Sequence, residues 1–98
     1  ALSGDRHSRV MSMLNALRTA HEAAAINLSS ALVRTKSAAA HAALFEALTM
    51  PNPAARKAAA GALAEIGGGE VMAALSHAAA RDEDFEVRRI CSALIQRG

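Results

Sequence analysis

The side chains able to do chemistry in this 98-residue chain are few: four histidines (His7, His21, His41 and His77), one cysteine (Cys91), nine carboxylates and eleven lysines and arginines. A metal centre needs ligands at fixed spacing, such as two histidines one helical turn apart. No His pair stands at i, i+4, and no Cys or carboxylate completes a ligand set. A catalytic thiol needs a nearby base and an exposed, electropositive setting. Arg88 and Arg89 are close to Cys91 in sequence, but the helical phase of Val87, Ile90, Cys91, Leu94 and Ile95 turns the thiol inward. Gly67-Gly68-Gly69 lacks the strand before it and the Lys-Ser/Thr after it that a phosphate cradle requires, so it reads as a turn. No serine sits in a nucleophile elbow. These residues predict a protein that is not an enzyme and holds no cofactor.

Arg56, Lys57, Arg88 and Arg89 recur at equivalent places and offer a basic strip to phosphates. Against that, Asp82, Glu83, Asp84 and Glu86 crowd the same edge, and the only aromatics for base stacking are Phe45 and Phe85. The net charge of +2 is mild. A protein partner is therefore expected, with nucleic acid as a minor alternative. A single cysteine excludes an internal disulfide framework and suits a reducing compartment, so the cytoplasm is the expected location. No apolar run reaches the roughly 18 residues that span a bilayer. Ala1-Leu2-Ser3-Gly4 lacks both Met and a signal-peptide core and reads as a cut boundary or mature end. Residues 1–98 are thus expected to be a single domain excised from, or forming the C-terminal part of, a longer protein.

The elements that position these residues must be helices. Hydrophobic residues are 52% of the chain, much of it alanine, with no Trp or Tyr. A core of Ala, Leu, Ile, Val and Met favours close helix packing, and alanine is the best helix former. Pro51-Asn52-Pro53 interrupts a helix, with Asn52 as cap and Pro53 at the first helical position. Gly67-Gly68-Gly69 stops the next helix, Ser37 caps another, and Asp82-Glu83-Asp84 supplies carboxylates before the last. Six helices follow, at about 5–18, 21–34, 37–49, 53–66, 70–81 and 84–97. The break at Thr19-Ala20-His21 is the weakest, and the sequence there also allows one long helix.

The chain repeats itself. Ala31-Leu32 recurs as Ala62-Leu63 and Leu44 as Leu75, both 31 residues on, and Leu44, Ala47 and Leu48 step back to Met13, Ala16 and Leu17. After Ala79 the spacing slips to 32, matching Arg56-Lys57 to Arg88-Arg89. A period of this length marks a solenoid in which one helical hairpin cannot bury its own apolar stripe and stacked hairpins share a core. Met13 falls on a core position, while Met50 and Met72 are expected at an exposed edge.

Asn52-Pro53-Ala54-Ala55-Arg56-Lys57-Ala58-Ala59-Ala60-Gly61-Ala62-Leu63-Ala64-Glu65-Ile66-Gly67 and Asp82-Glu83-Asp84-Phe85-Glu86-Val87-Arg88-Arg89 resemble the HEAT repeats of phycobilin lyases and many bacterial scaffold proteins. The resemblance covers the last half of the chain well. It is thinner over residues 1–50, where Ala25 replaces the expected Arg. It implies an all-α superhelical solenoid of about 2.5–3 HEAT-like hairpins and a protein-interaction or scaffolding role. Alternatives are an accessory domain of a lyase-type or other enzyme, and a nucleic-acid-binding module. It also implies an inter-repeat Asp–Arg ladder, for which Asp82 and Arg88 fit. Met50 stands where Arg56 would look for its Asp, so the ladder is expected to be incomplete there. The second helices form the concave wall in such arrays, and Asn15, Arg18, Glu46, His77 and Arg81 are the candidate partner-binding residues on it.

Overall fold

A computed structural model describes the backbone of residues 2–97 and the side chains of residues 8–97; the side chain of His7 lies outside the described ones. Six helices run α1 Leu2–Leu17, α2 Glu22–Thr35, α3 Ala38–Ala47, α4 Pro53–Ile66, α5 Gly69–Arg81 and α6 Phe85–Arg97, with no strand among the described residues. The first helices α2, α4 and α6 form one continuous layer with α4 in the middle. In the second layer α1 packs on α3, whereas α5 leans on α6 and α4. The architecture is therefore two whole hairpins, α2–α3 and α4–α5, flanked by α1 and α6 as half-hairpins.

Each boundary has a local cause. α1 ends in a tightened turn, in which the Arg18, Thr19 and Ala20 amides donate to the Asn15, Ala16 and Leu17 carbonyls. α1 and α2 are separate helices, and Asn52 shows what holds them apart. Its Nδ2 donates to the carbonyls of Leu17 at 2.9 Å and Ala20 at 2.7 Å, while its Oδ1 caps α4 by accepting from the Ala54 amide at 3.2 Å. His21 caps α2 weakly, its Nδ1 lying 3.5 Å from the Ala24 amide. α2 stops at Lys36, left-handed at φ 53°, and Ser37 caps α3 by accepting from the Ala40 amide at 3.1 Å. Gly67 and Gly68, at φ 77° and 104°, make the α4–α5 turn in a region that side chains disfavour. Asp84 Oδ1 accepts from the Glu86 and Val87 amides to start α6.

The core is a run of leucines, Leu17, Leu32, Leu44, Leu63 and Leu75, all fully buried. Each contributes roughly 1.5–3 kcal/mol by leaving water. Buried Ala25, Ala55 and Ala59 leave little bulk on the first-helix layer, which lets neighbouring helices approach closely. Met50 corrects the expectation of an exposed edge: it is 3% exposed and joins the core, because the turn after α3 folds it under the start of α4. Met13 and Met72 are half-buried.

Candidate functional site

The turn edge of the stack is built around Arg56 in the first turn of α4. Its Nη1 donates to the carbonyls of Met50 at 2.7 Å and Pro51 at 2.8 Å. Its Nε and Nη2 grip the two carboxylate oxygens of Asp82 at 3.0 and 3.2 Å. Both side chains are under a tenth exposed. Each guanidinium nitrogen of Arg56 is thus partnered, contrary to the gap expected at Met50. Met50 needs no carboxylate, because it supplies a backbone oxygen and the carboxylate arrives from the following repeat. Asp82 spends its carboxylate on Arg56 and on the Asp84 amide, and offers Arg88 only its carbonyl, to Nη1 at 2.6 Å.

Beside this ion pair, where α5 leaves α3, the second-helix layer opens into a cleft of about 760 Å³. Phe45 of α3 and Leu48 and Thr49 of the turn after it form one wall, and Ala74, Ala78, His77 and Arg81 of α5 form the other. Arg56, Asp82, Met50 and Glu83 close its turn end. A space of this size, apolar inside and with a few polar groups at the rim, has the make-up of a recognition pocket.

The predicted surface residues divide across this geometry. His77 and Arg81 are exposed on the cleft wall. Glu46 instead meets Arg18 at 3.5 Å, a contact between two half-exposed side chains that links the end of α1 to α3. Such a surface pair contributes little to stability. Asn15 is exposed on α1. Phe45, Leu48 and Thr49 were missed as lining residues; Phe45 was legible only as one of the two aromatics, because nothing in the repeat signals that α3 and α5 part.

The basic strip is largely neutralised. Arg56 is buried against Asp82, Lys57 is paired with Glu22, and Arg89 meets Glu86 at 2.8 Å. The hydrogen bond that Lys57 donates to Glu22 raises the pKa of Lys57, with burial opposing and the charges of Glu22, Glu86 and Asp84 adding to the rise. The hydrogen bonds that Glu86 accepts from Arg89 lower the pKa of Glu86. Cys91 is fully buried, and burial, with the Asp82 charge beside it, pushes its thiol up to about 11. It stays protonated and is no nucleophile at neutral pH. The described residues contain no group of three or more His, Cys, Asp or Glu placed to hold a metal ion, and no helix among them is long and apolar enough to cross a membrane.

A HEAT-repeat family model matches residues 10–95, and the chain belongs to the HEAT-repeat family. The match is to the family as a whole and does not single out the phycobilin-lyase type. No curated protein and no solved structure matches the chain. HEAT repeats are generally protein-interaction and scaffold modules.

Proposed function

We propose that this chain is a protein–protein interaction module with no catalytic activity of its own, and that its partner enters the cleft between α3 and α5. The observation that supports this reading is the cleft itself. Intramolecular packing leaves about 760 Å³ open beside a buried ion pair. Phe45, Leu48, Ala74 and Ala78 give it an apolar interior for an anchoring side chain, and Arg81 and His77 stand at the rim where an acidic group of the partner would meet them. The buried Cys91 and the paired basic strip favour binding to a protein over thiol chemistry or phosphate binding.

The test is a pull-down from extract of the source cells with the wild type, with Ala74→Trp to fill the cleft, and with a His77→Ala/Arg81→Glu pair. Circular dichroism establishes that each variant is folded. A protein recovered by the wild type and lost from both folded variants supports the cleft. Equal recovery by all three removes it.

A further inference from the structure

Gly61 lies in the interior of α4, where glycine is the poorest helix former after proline. Its φ is not positive, and a Cβ placed on it would meet nothing within 4 Å. Neither the backbone nor the packing of this chain calls for a glycine there. The space above it belongs to a hollow of about 200 Å³ between α2 and α4, with Ile26, Ser29 and Ser30 on the α2 side and Ala58, Gly61 and Glu65 on the α4 side. Two polar groups in this hollow are unmet. Ser29 is 1% exposed, and its Oγ has no hydrogen-bond partner. Glu65 is exposed and belongs to none of the ion pairs among the described residues. Lys57 also lines the hollow, but its ammonium is held by Glu22. An anion entering here would meet Glu65 with no free cation to receive it, whereas a cation meets an open carboxylate.

The volume is below the roughly 300 Å³ at which sites for whole small ligands begin, and it suits one long side chain. Ile26, Lys57 and Ala58 also border a second groove, of about 260 Å³, which crosses α4 to Ile90 of α6. Ile26, common to both, is 57% exposed. We propose that the hollow takes an arginine side chain of a partner protein, and that an apolar residue next to that arginine lies in the adjoining groove. A guanidinium is flat and carries five donors, so one group serves both the buried Ser29 Oγ and the Glu65 carboxylate. The ammonium of a lysine is a point charge with a stronger hydration shell to shed. Gly61 gives the stem of the arginine its clearance. No residue of the α3–α5 cleft takes part, so this site stands or falls independently of that one.

The probe is acetyl-Leu-Arg-Leu-amide, which offers an apolar residue on either side of the arginine. It is titrated into the isotope-labelled 98-residue chain and followed by amide chemical shifts. The same peptide with citrulline, isosteric and uncharged, and free arginine are the comparisons. The expected result is that the Ser29, Gly61 and Glu65 amides shift together and saturate with the arginine peptide, while both comparisons bind about tenfold or more weakly. Glu65→Gln, a surface change, weakens the peptide by about tenfold. Gly61→Leu fills the hollow and abolishes binding, although it favours the helix. Ser29→Ala weakens the peptide severalfold while raising the stability of the free chain. Circular dichroism establishes that each variant is folded. The proposal is overturned by the absence of a saturating shift, by equal binding of the arginine and citrulline peptides, or by full binding to folded Gly61→Leu or Glu65→Gln. Free arginine binding as tightly as the peptide assigns the hollow to a small molecule, and shifts of the same amides on diluting the chain alone assign it to a second copy; either result also overturns it.

Discussion

The Arg56 guanidinium and the Asp82 carboxylate, 26 residues apart, close a two-bonded contact at 3.0 and 3.2 Å that joins α4 to the turn before α6. Because the pair is buried, removing one member leaves an uncompensated charge. Asp82→Ala is expected to cost roughly 3–5 kcal/mol, a large share of the stability of a small domain, and Arg56→Lys to cost nearly as much because a lysine has no fork. Urea denaturation checks both. Replacing the pair together by Arg56→Met/Asp82→Leu should recover only part of the loss, since the Met50 and Pro51 carbonyls then lose their donor.

Asn52→Asp separates the two roles of that side chain. An aspartate still caps α4, and by helix-capping preference alone the change is neutral. It also replaces the donor facing the Leu17 and Ala20 carbonyls with an acceptor. The expected outcome is a destabilisation of roughly 1–3 kcal/mol, read from the thermal midpoint, with Asn52→Ser closer to the wild type.

Ser29 carries the one buried side-chain polar atom without a hydrogen-bond partner among the described residues. Its counterpart one repeat on is Ala60, fully buried. Ser29→Ala is expected to stabilise the fold by roughly 1 kcal/mol, through relief of an unmet hydroxyl and better helix propensity. A lower urea midpoint than the wild type would count against this account.

Cys91 sets an alkaline limit. An ordinary thiol titrates near 9.0, and this one is held up to about 11. The unfolded chain therefore gives up its thiol proton first. The stabilisation is fully present below pH 9 and is lost as pH rises through 11, by roughly 3 kcal/mol. Thermal midpoints measured from pH 8 to 10.5 should fall more steeply for the wild type than for Cys91→Ala.

The parts of this fold written in local chemistry were legible in the sequence. Pro53 and Asn52, the glycines after Ile66, Ser37 and the acids before α6 mark helix ends through their own backbones, and the 31-residue step placed the leucines in the core. Relations between repeats were not legible. The second role of Asn52 depends on carbonyls 32 and 35 residues away, and the family resemblance matches Asp82 to Arg88 although its carboxylate faces back to Arg56. Met50 looked exposed because its neighbours are turn residues, whereas its burial is decided by how α3 and α4 meet. The candidate cleft was half visible. His77 and Arg81 came from the phase of α5, but the opening between α3 and α5 is a matter of how helices tilt, which residue types do not encode.

The same layout governs how the chain finds its fold. Every extensive helix contact joins neighbours or next-but-one neighbours in sequence, and the longest side-chain link spans 35 residues. No segment must search the whole chain for its partner, so the entropy of closing loops is met in small instalments. Folding in the microsecond-to-millisecond range is the consequence, with either hairpin able to form first and its neighbours adding to it.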